Sequence, residues 1–439
     1  MKIIDTHEHF WTMKDLPHQM GDQAIGNDRL TIPGMFYTSY IFIEEKGNHR
    51  TWAEELRRYR GTGYIKSWLI AMEDLYGLEG PITPKYLEKM EHAINDAYRQ
   101  DFEDDTSHHL REVLENRMHV ERAIVDMPYE DHLDLPKPIC QGTFGIEMII
   151  NINEVPKGIA PKKEGYFSMN IVFWHAQNVL KMNLGDIQTF DDYLDITVQF
   201  LEYLKNRQDY ISLKSKLAYL RPISFPEPSK DQSKIAKLFN KPLKNEKELW
   251  RYGDFMMHFI LDWMNENWHI PIQMHTGIAR MYDGSSDAIH LSNLFQKYPE
   301  LHFDLFHGNY PYLKVPGMLH QIYNISANLN FLPVISPTIS QQTLTELYEV
   351  GGSSGGYNYS WRTRKRPYYE PYHEPSMRTI LFGGDCDMVE GSYGTLQVAK
   401  DVLIRSLEDL KNRGMIYEVD AIDLAEQVLY SNPKRIYSL

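Results

Sequence analysis

Residues 1–10 read MKIIDTHEHF, a short apolar run that leads straight into Asp5, His7 and His9 on alternate positions. Side chains along an extended strand alternate faces with period two, so these polar groups share one face. Two imidazoles two residues apart can grip one ion. The other ligands must then come from later strands, and the pattern of those strands decides the fold.

Eight short β-like runs can be read, most of them followed by a helical pattern. KIID (2–5), RAIVDM (122–127), GIEMIININ (145–153) and YISLKSKLAYL (210–220) are the first four. IPIQMHT (270–276), LHFDLFHG (301–308), YNISANLNF (323–331) and RTILFGGD (378–385) complete the set. Strands alternating with helices place the chain in the α/β class with a mainly parallel sheet. Eight units over 439 residues predict one (β/α)8 TIM barrel spanning 1–439. No GxGxxG or GxxxxGK[ST] opens a helix, which argues against dinucleotide and P-loop folds.

The helices carry start signals. TPKYLEKMEHAINDAYRQ begins with Thr83 as N-cap and Pro84 at the first helical position. TFDDYLDITVQFLEYLKN has Thr189 as cap and acids in its first turn. Stretches 394–413 and 420–430 are expected to finish the outer ring of helices. Two segments exceed what a minimal barrel needs. Residues 10–120 read as a helical insertion between strands 1 and 2 that caps the barrel mouth, and 351–377 as a long loop, a lid or a disordered segment.

Composition narrows the function class. A net charge of −14 speaks against a nucleic-acid partner, because phosphate binding needs concentrated Lys and Arg. No apolar stretch reaches the roughly 20 residues of a membrane helix, so no membrane partner is expected. Cys140 and Cys386 are the two cysteines, too few for a disulfide framework or a thiolate metal site. With no charged-then-apolar leader before KIID, a cytoplasmic protein is predicted.

Placed on the strands, the polar residues converge. His7 and His9 end strand 1, Lys214 lies on strand 4, His275 ends strand 5, His307 ends strand 6 and Asp385 ends strand 8. Active sites of such barrels form where the C-terminal strand ends meet their loops. Imidazole and carboxylate together suit a divalent ion, zinc first and manganese or iron as alternatives. The absence of thiolates fits a catalytic rather than a structural site. Glu8 faces the other way and reads as structural. Tyr219 and Arg221, just past strand 4, are candidates for orienting a substrate carboxylate or phosphate, with packing and solvation as the alternative. The RTRKR run at 362–366 could lend a positive field to such a lid, and Asn328 and Asn330 could line the pocket. Cys386 reads as buried filler.

This set of residues resembles the amidohydrolase superfamily of metal-dependent barrel enzymes. Within it the chain is most similar to the branch that includes aminocarboxymuconate-semialdehyde decarboxylase and, more remotely, uronate isomerase. The resemblance runs from IIDTHEHF to LYSNPKRIYSL but does not extend to 10–120. It implies that His7, His9, His275 and Asp385 bind the metal, and that His307 binds a second metal or polarises the substrate. It also implies that Lys214 could be carbamylated to bridge two metals. The decarboxylase-like branch typically has one metal and no such lysine. The implied activity is hydrolysis of an amide, lactone or ester of a small molecule by metal-activated water, with Asp385 shuttling the proton. The alternative is a mononuclear, metal-dependent decarboxylase of a carboxylated unsaturated acid. Assembly into homo-oligomers is a further expectation from the resemblance.

Overall fold

The computed structural model describes residues 1–11, 30–37, 48–104, 106–127, 135–150, 171–228, 233–237, 246–279, 283–319, 322, 324–351 and 378–439. Eight strands lie in one sheet in chain order: β1 (Ile3–Glu8), β2 (Val120–Met127), β3 (Cys140–Gly145), β4 (Tyr210–Ser215), β5 (Ile272–His275), β6 (Phe303–Phe306), β7 (Ile325–Asn328) and β8 (Thr379–Ile380). The pairings β1–β2, β4–β5, β5–β6 and β7–β8 are parallel. The chain divides into two compact units: Met1–Gly142 with Ala327–Gly355 and Glu374–Leu439, and Thr143–Ser326 with Gly356–His373.

In the first unit every residue of β1 is buried. The helices described between β1 and β2 are Ile32–Tyr37, His49–Arg58, Gly63–Tyr76, Pro84–Ala97, Arg99–Asp104 and His108–Glu112. Thr83 caps Pro84–Ala97, accepting from the Tyr86 N–H, as its sequence predicts. Helix Gly63–Tyr76 packs on Val389–Asn412. The approach there is close, since a Cβ on Gly394 would lie 2.0 Å from the Ser67 carbonyl oxygen.

In the second unit β4, β5 and β6 run in register, with Lys214 opposite Gln273 and Ile272 opposite Phe303. Thr189 caps helix Phe190–Asn206 through a full capping box with Asp192.

Several boundaries differ from expectation. The third strand is Cys140–Gly145, not 145–153, and Glu147–Ile150 is helical. A short apolar run does not distinguish strand from buried helix, and here Ile146 N–H goes to the Lys214 carbonyl (2.8 Å), after which the chain turns. The fourth strand stops at Ser215 and continues as a 3-10 turn, Leu217–Tyr219. The eighth is only Thr379–Ile380, because the Leu381 N–H is taken by the Val428 carbonyl at 3.1 Å. The helices expected at 394–413 and 420–430 run Val389–Asn412 and Glu418–Glu426, and Asn432–Ile436 follows them. Except for residue 351, the loop expected at 351–377, with its RTRKR run, lies outside the described residues.

Candidate metal centre

β1 carries its two histidines to the segment that follows β8. Thr6 N–H donates to the Phe382 carbonyl (3.3 Å), Asp385 N–H to the His7 carbonyl (2.8 Å) and His9 N–H to the Cys386 carbonyl (3.0 Å). These main-chain bonds fix Asp385 between the two imidazoles. Asp385 itself is left-handed, with φ 54°, a region Asp tolerates better than most residues. Its Oδ1 lies 3.2 Å from His7 Nε2 and 3.1 Å from His9 Nε2. The three ligand atoms all fall within 4.8 Å of one another, the one such group of three among the described residues.

The spacing fits a divalent ion. Metal–ligand bonds of about 2.0–2.2 Å place neighbouring ligands about 2.8–3.1 Å apart in an octahedron and about 3.3–3.6 Å apart in a tetrahedron. The measured edges of 3.2 and 3.1 Å fall at the border of the two ranges. The electrostatics agree. Burial resists ionisation of Asp385, but the charges and hydrogen bonds of His7 and His9 outweigh it and hold the carboxyl well below its usual range. Burial likewise opposes a charged His9, and the bond to Asp385 with the fields of Asp126 and Asp387 overcomes it, so its pKa is raised. The site favours a positive charge, whether proton or metal.

Two acids here escaped the sequence reading. Asp126, buried near the end of β2, sets Oδ2 3.9 Å from His9 Nδ1. Asp387 accepts from Trp11 Nε1 at 2.8 Å, and burial pushes it up to about 6. Asp126 could have been found, since it closes a hydrophobic strand in IVDM as Asp385 closes one in LFGGD.

Beneath the centre lies a second layer. Glu8 takes the Cys386 N–H on Oε2 at 2.9 Å and a hydroxyl bond from Ser392 on Oε1, which gives it the structural place expected. Ser392 also reaches Asp5 (3.3 Å). Asp5 therefore does not follow His7 and His9 by simple alternation, because the β1–β2 register shifts between Asp5 and Glu8. Burial pushes Asp5 up to about 6, and burial with the Asp5 charge raises Glu8 well above its ordinary value. Gly384 lets this layer pack closely: a Cβ would sit 2.0 Å from Glu8 Oε1 and 2.6 Å from Ser392 Oγ, so both side chains would have to move. Cys386 is buried, as expected of filler.

The second unit holds the other candidates. His307 Nε2 lies 3.0 Å from His275 Nδ1, and His275 Nε2 bonds the Ile278 carbonyl. A carbonyl only accepts, so His275 carries its proton on Nε2 and receives a bond from His307 on Nδ1. His307 is left-handed, with φ 64°. The turn after β5 needs Gly277, at φ 73° and with a Cβ position 2.1 Å from the Tyr310 carbonyl oxygen. Lys214 is fully buried, its ammonium 3.5 Å over the Phe306 ring. Tyr219 is 49% exposed and lays its ring 4.4 Å from that of His275. Arg221 is buried and donates to the carbonyls of Pro222, Trp250 and Ser224 and to Asp254 Oδ1 (2.5 Å). Its guanidinium is thus spent on the protein. Asn328, in the first unit, donates to Thr6 Oγ1 (3.1 Å).

Comparison with known proteins bears on this geometry. A "putative metal-dependent hydrolase" of Lactobacillus casei ATCC 334 superposes with TM-score 0.61 at 14% identity, covering 100% of this chain and 95% of that one. Uronate isomerase of Thermotoga maritima gives 0.65 at 14%, covering 100% and 94%. Glucuronate isomerase of Caulobacter crescentus gives 0.65 at 13%, covering 100% and 91%. The likeness shows a TIM-barrel-like fold. By sequence, the chain is 26% identical over 186 residues to Protein fluG of Emericella nidulans (strain FGSC A4), a match covering 37% of this chain and 21% of that protein. The chain thus spans about a fifth of that relative's length. No family model matches. Among the described residues, no helix is long and apolar enough to cross a membrane.

Proposed function

We propose that the chain is a metal-dependent hydrolase that opens an amide, lactone or ester of a small molecule. One observation carries this reading: His7 Nε2 and His9 Nε2 converge on Asp385 Oδ1 at 3.2 and 3.1 Å, at the end of β1 where its loop begins. A divalent ion held there supplies the charge that brings a water to a pKa near 7 and polarises a carbonyl. The chain's own groups do the rest. Asp385 stays ionised, accepts a proton from the attacking water and returns it to the departing nitrogen or oxygen as the C–N or C–O bond breaks. Asp126 and Asp387 surround His9 with negative charge that favours its charged or metal-bound form. Buried Glu8 and Ser392 hold the Asp385 segment still.

For the second unit taken by itself, His307 is the candidate polarising group. Its N–H is aimed by the His275 tautomer; for His275, His307 and a carbamylated Lys214 to hold a second ion instead, the His307–His275 hydrogen bond would have to give way. Tyr219 is exposed enough to meet a ligand.

The deciding experiment is elemental analysis of the purified chain followed by an 18O-water assay over amides, lactones and esters. Bound zinc, manganese or iron with 18O entering the product supports the proposal. A chain that takes up no divalent metal overturns it. A second reading, aldose–ketose isomerisation, is favoured by the fold likeness to the two uronate-type isomerases. It predicts a product of unchanged mass and no label.

A further inference from the structure

A cleft in the first unit opens beside His9. Phe10 and Trp11 from the end of β1, Tyr98, Asp101 and Thr106 from the helical segment before β2, and Asp387 from the loop after β8 line it. Among the described residues its lining contains two carboxylates, three aromatic rings and no lysine, arginine or histidine. The two acids are not equivalent. Asp101 spends its oxygens on Thr106 Oγ1 (2.8 Å) and on the His108 and His109 N–H groups (2.6 and 3.0 Å). The Tyr98 hydroxyl is turned away to Glu390 Oε2 (3.1 Å). Asp387 accepts from Trp11 alone among the described residues, on Oδ1, so Oδ2 remains to meet a ligand.

From this geometry we infer that the cleft binds an ammonium group, and that the substrate of the metal centre carries a primary amine close to the bond that is broken. Asp387 supplies the charge-assisted acceptor, and Trp11 and Phe10 line the cleft beside it. A substrate carboxylate would meet the repulsion of Asp387 here, with no cationic partner among the described lining residues. The claim about substrate class rests on the hydrolase reading above; the claim about the cleft does not.

The test uses the full chain with zinc added, titrated at pH 7 by calorimetry and tryptophan fluorescence with n-butylammonium, n-butanol and butyrate. The ammonium is expected to bind at least about tenfold tighter than the alcohol, with butyrate weakest. Asp387→Asn should weaken ammonium binding by about 10- to 100-fold and leave the alcohol unchanged, while Trp11→Phe removes the fluorescence response. Equal binding of ammonium and alcohol by the unsubstituted chain overturns the inference, and needs no variant to fold. So does an Asp387→Asn chain that keeps its selectivity. Metal content is measured on the same samples. Selective ammonium binding by a chain that takes up no zinc would sustain the cleft and remove the hydrolase reading.

Discussion

Replacing Glu8 by leucine and by glutamine separates the support beneath the metal centre from its charge. Glu8 is wholly buried, receives Cys386 N–H at 2.9 Å and Ser392 hydroxyl, and shares a hydrogen bond with Asp5. Leucine fills the volume but leaves the amide, the hydroxyl and Asp5 without this acceptor. Each stranded buried group costs about 1–3 kcal/mol, and because Ser392 and Asp5 retain each other the net loss is about 3 kcal/mol. The first unit has roughly 240 residues, for which the unfolding entropy is about 0.5 kcal/mol/K, so the apparent midpoint should fall by about 6 °C. Glutamine keeps a carbonyl for Cys386 and can offer its NH2 to Asp5. Burial and the Asp5 charge raise the Glu8 pKa, and glutamine carries no charge for them to oppose. Its midpoint should stay within about 2 °C of the parent, the equivalent of about 1 kcal/mol. Differential scanning fluorimetry with metal titration reads both effects. Zinc affinity should drop for Glu8→Leu, since the Cys386 anchor that fixes Asp385 is gone, and survive in Glu8→Gln. If the two variants melted together, the reasoning about stranded partners would be refuted.

Other outcomes follow from the same geometry. Asp385→Asn or His7→Asn should lower bound metal per chain by more than about tenfold with circular dichroism unchanged, read by elemental analysis. Gly394→Ala forces a methyl to within 2.0 Å of the Ser67 oxygen and should cost about 1–3 kcal/mol, read as a lowered melting midpoint. Arg221→Lys keeps a charge beside Asp254 but loses the fork that reaches three carbonyls, costing about 2–3 kcal/mol of stability, read by thermal melting. The fourth concerns pH. Burial opposes charge on both Glu390 and His109, but their mutual bond (3.1 Å) lowers the acid and raises the imidazole. The lowered Glu390 adds stability above its ordinary 4.5 that is lost as pH falls through its folded value. The raised His109 adds stability below its ordinary 6.5 that is lost as pH rises through its folded value. The pair therefore contributes most between those pH values. His109→Phe should flatten the difference in melting midpoint between pH 6 and pH 8.

Much of this was legible because strand-end chemistry leaves a period in the sequence. Asp385, His275 and His307 each close an apolar run, and His7 sits two residues from His9, so their places at strand ends could be read without coordinates. The helix caps Thr83 and Thr189 were equally plain, since a cap is a local bond between residues three apart. The third strand was misplaced because MII in GIEMIININ satisfies a strand and a buried helical turn alike, and only the distant Lys214 carbonyl decides between them.

What could not be read is where the backbone leaves its common conformations. Asp385 and His307 are both left-handed, at 54° and 64°, though neither is glycine. Nothing local asks for that. In Asp385 it follows from donating its N–H to the His7 carbonyl, 378 positions earlier in the chain, while its carboxylate reaches both imidazoles. Holding an aspartate there against its preference costs about 1–2 kcal/mol, and the layer of Glu8, Ser392 and Gly384 is what sustains it. The same long-range closure brings Asp387 to Trp11, so the acid that distinguishes the cleft is invisible to any window of sequence that does not contain both ends of the chain. The metal ligands can be read from their residue types; the surroundings that would choose a substrate depend on the fold having closed.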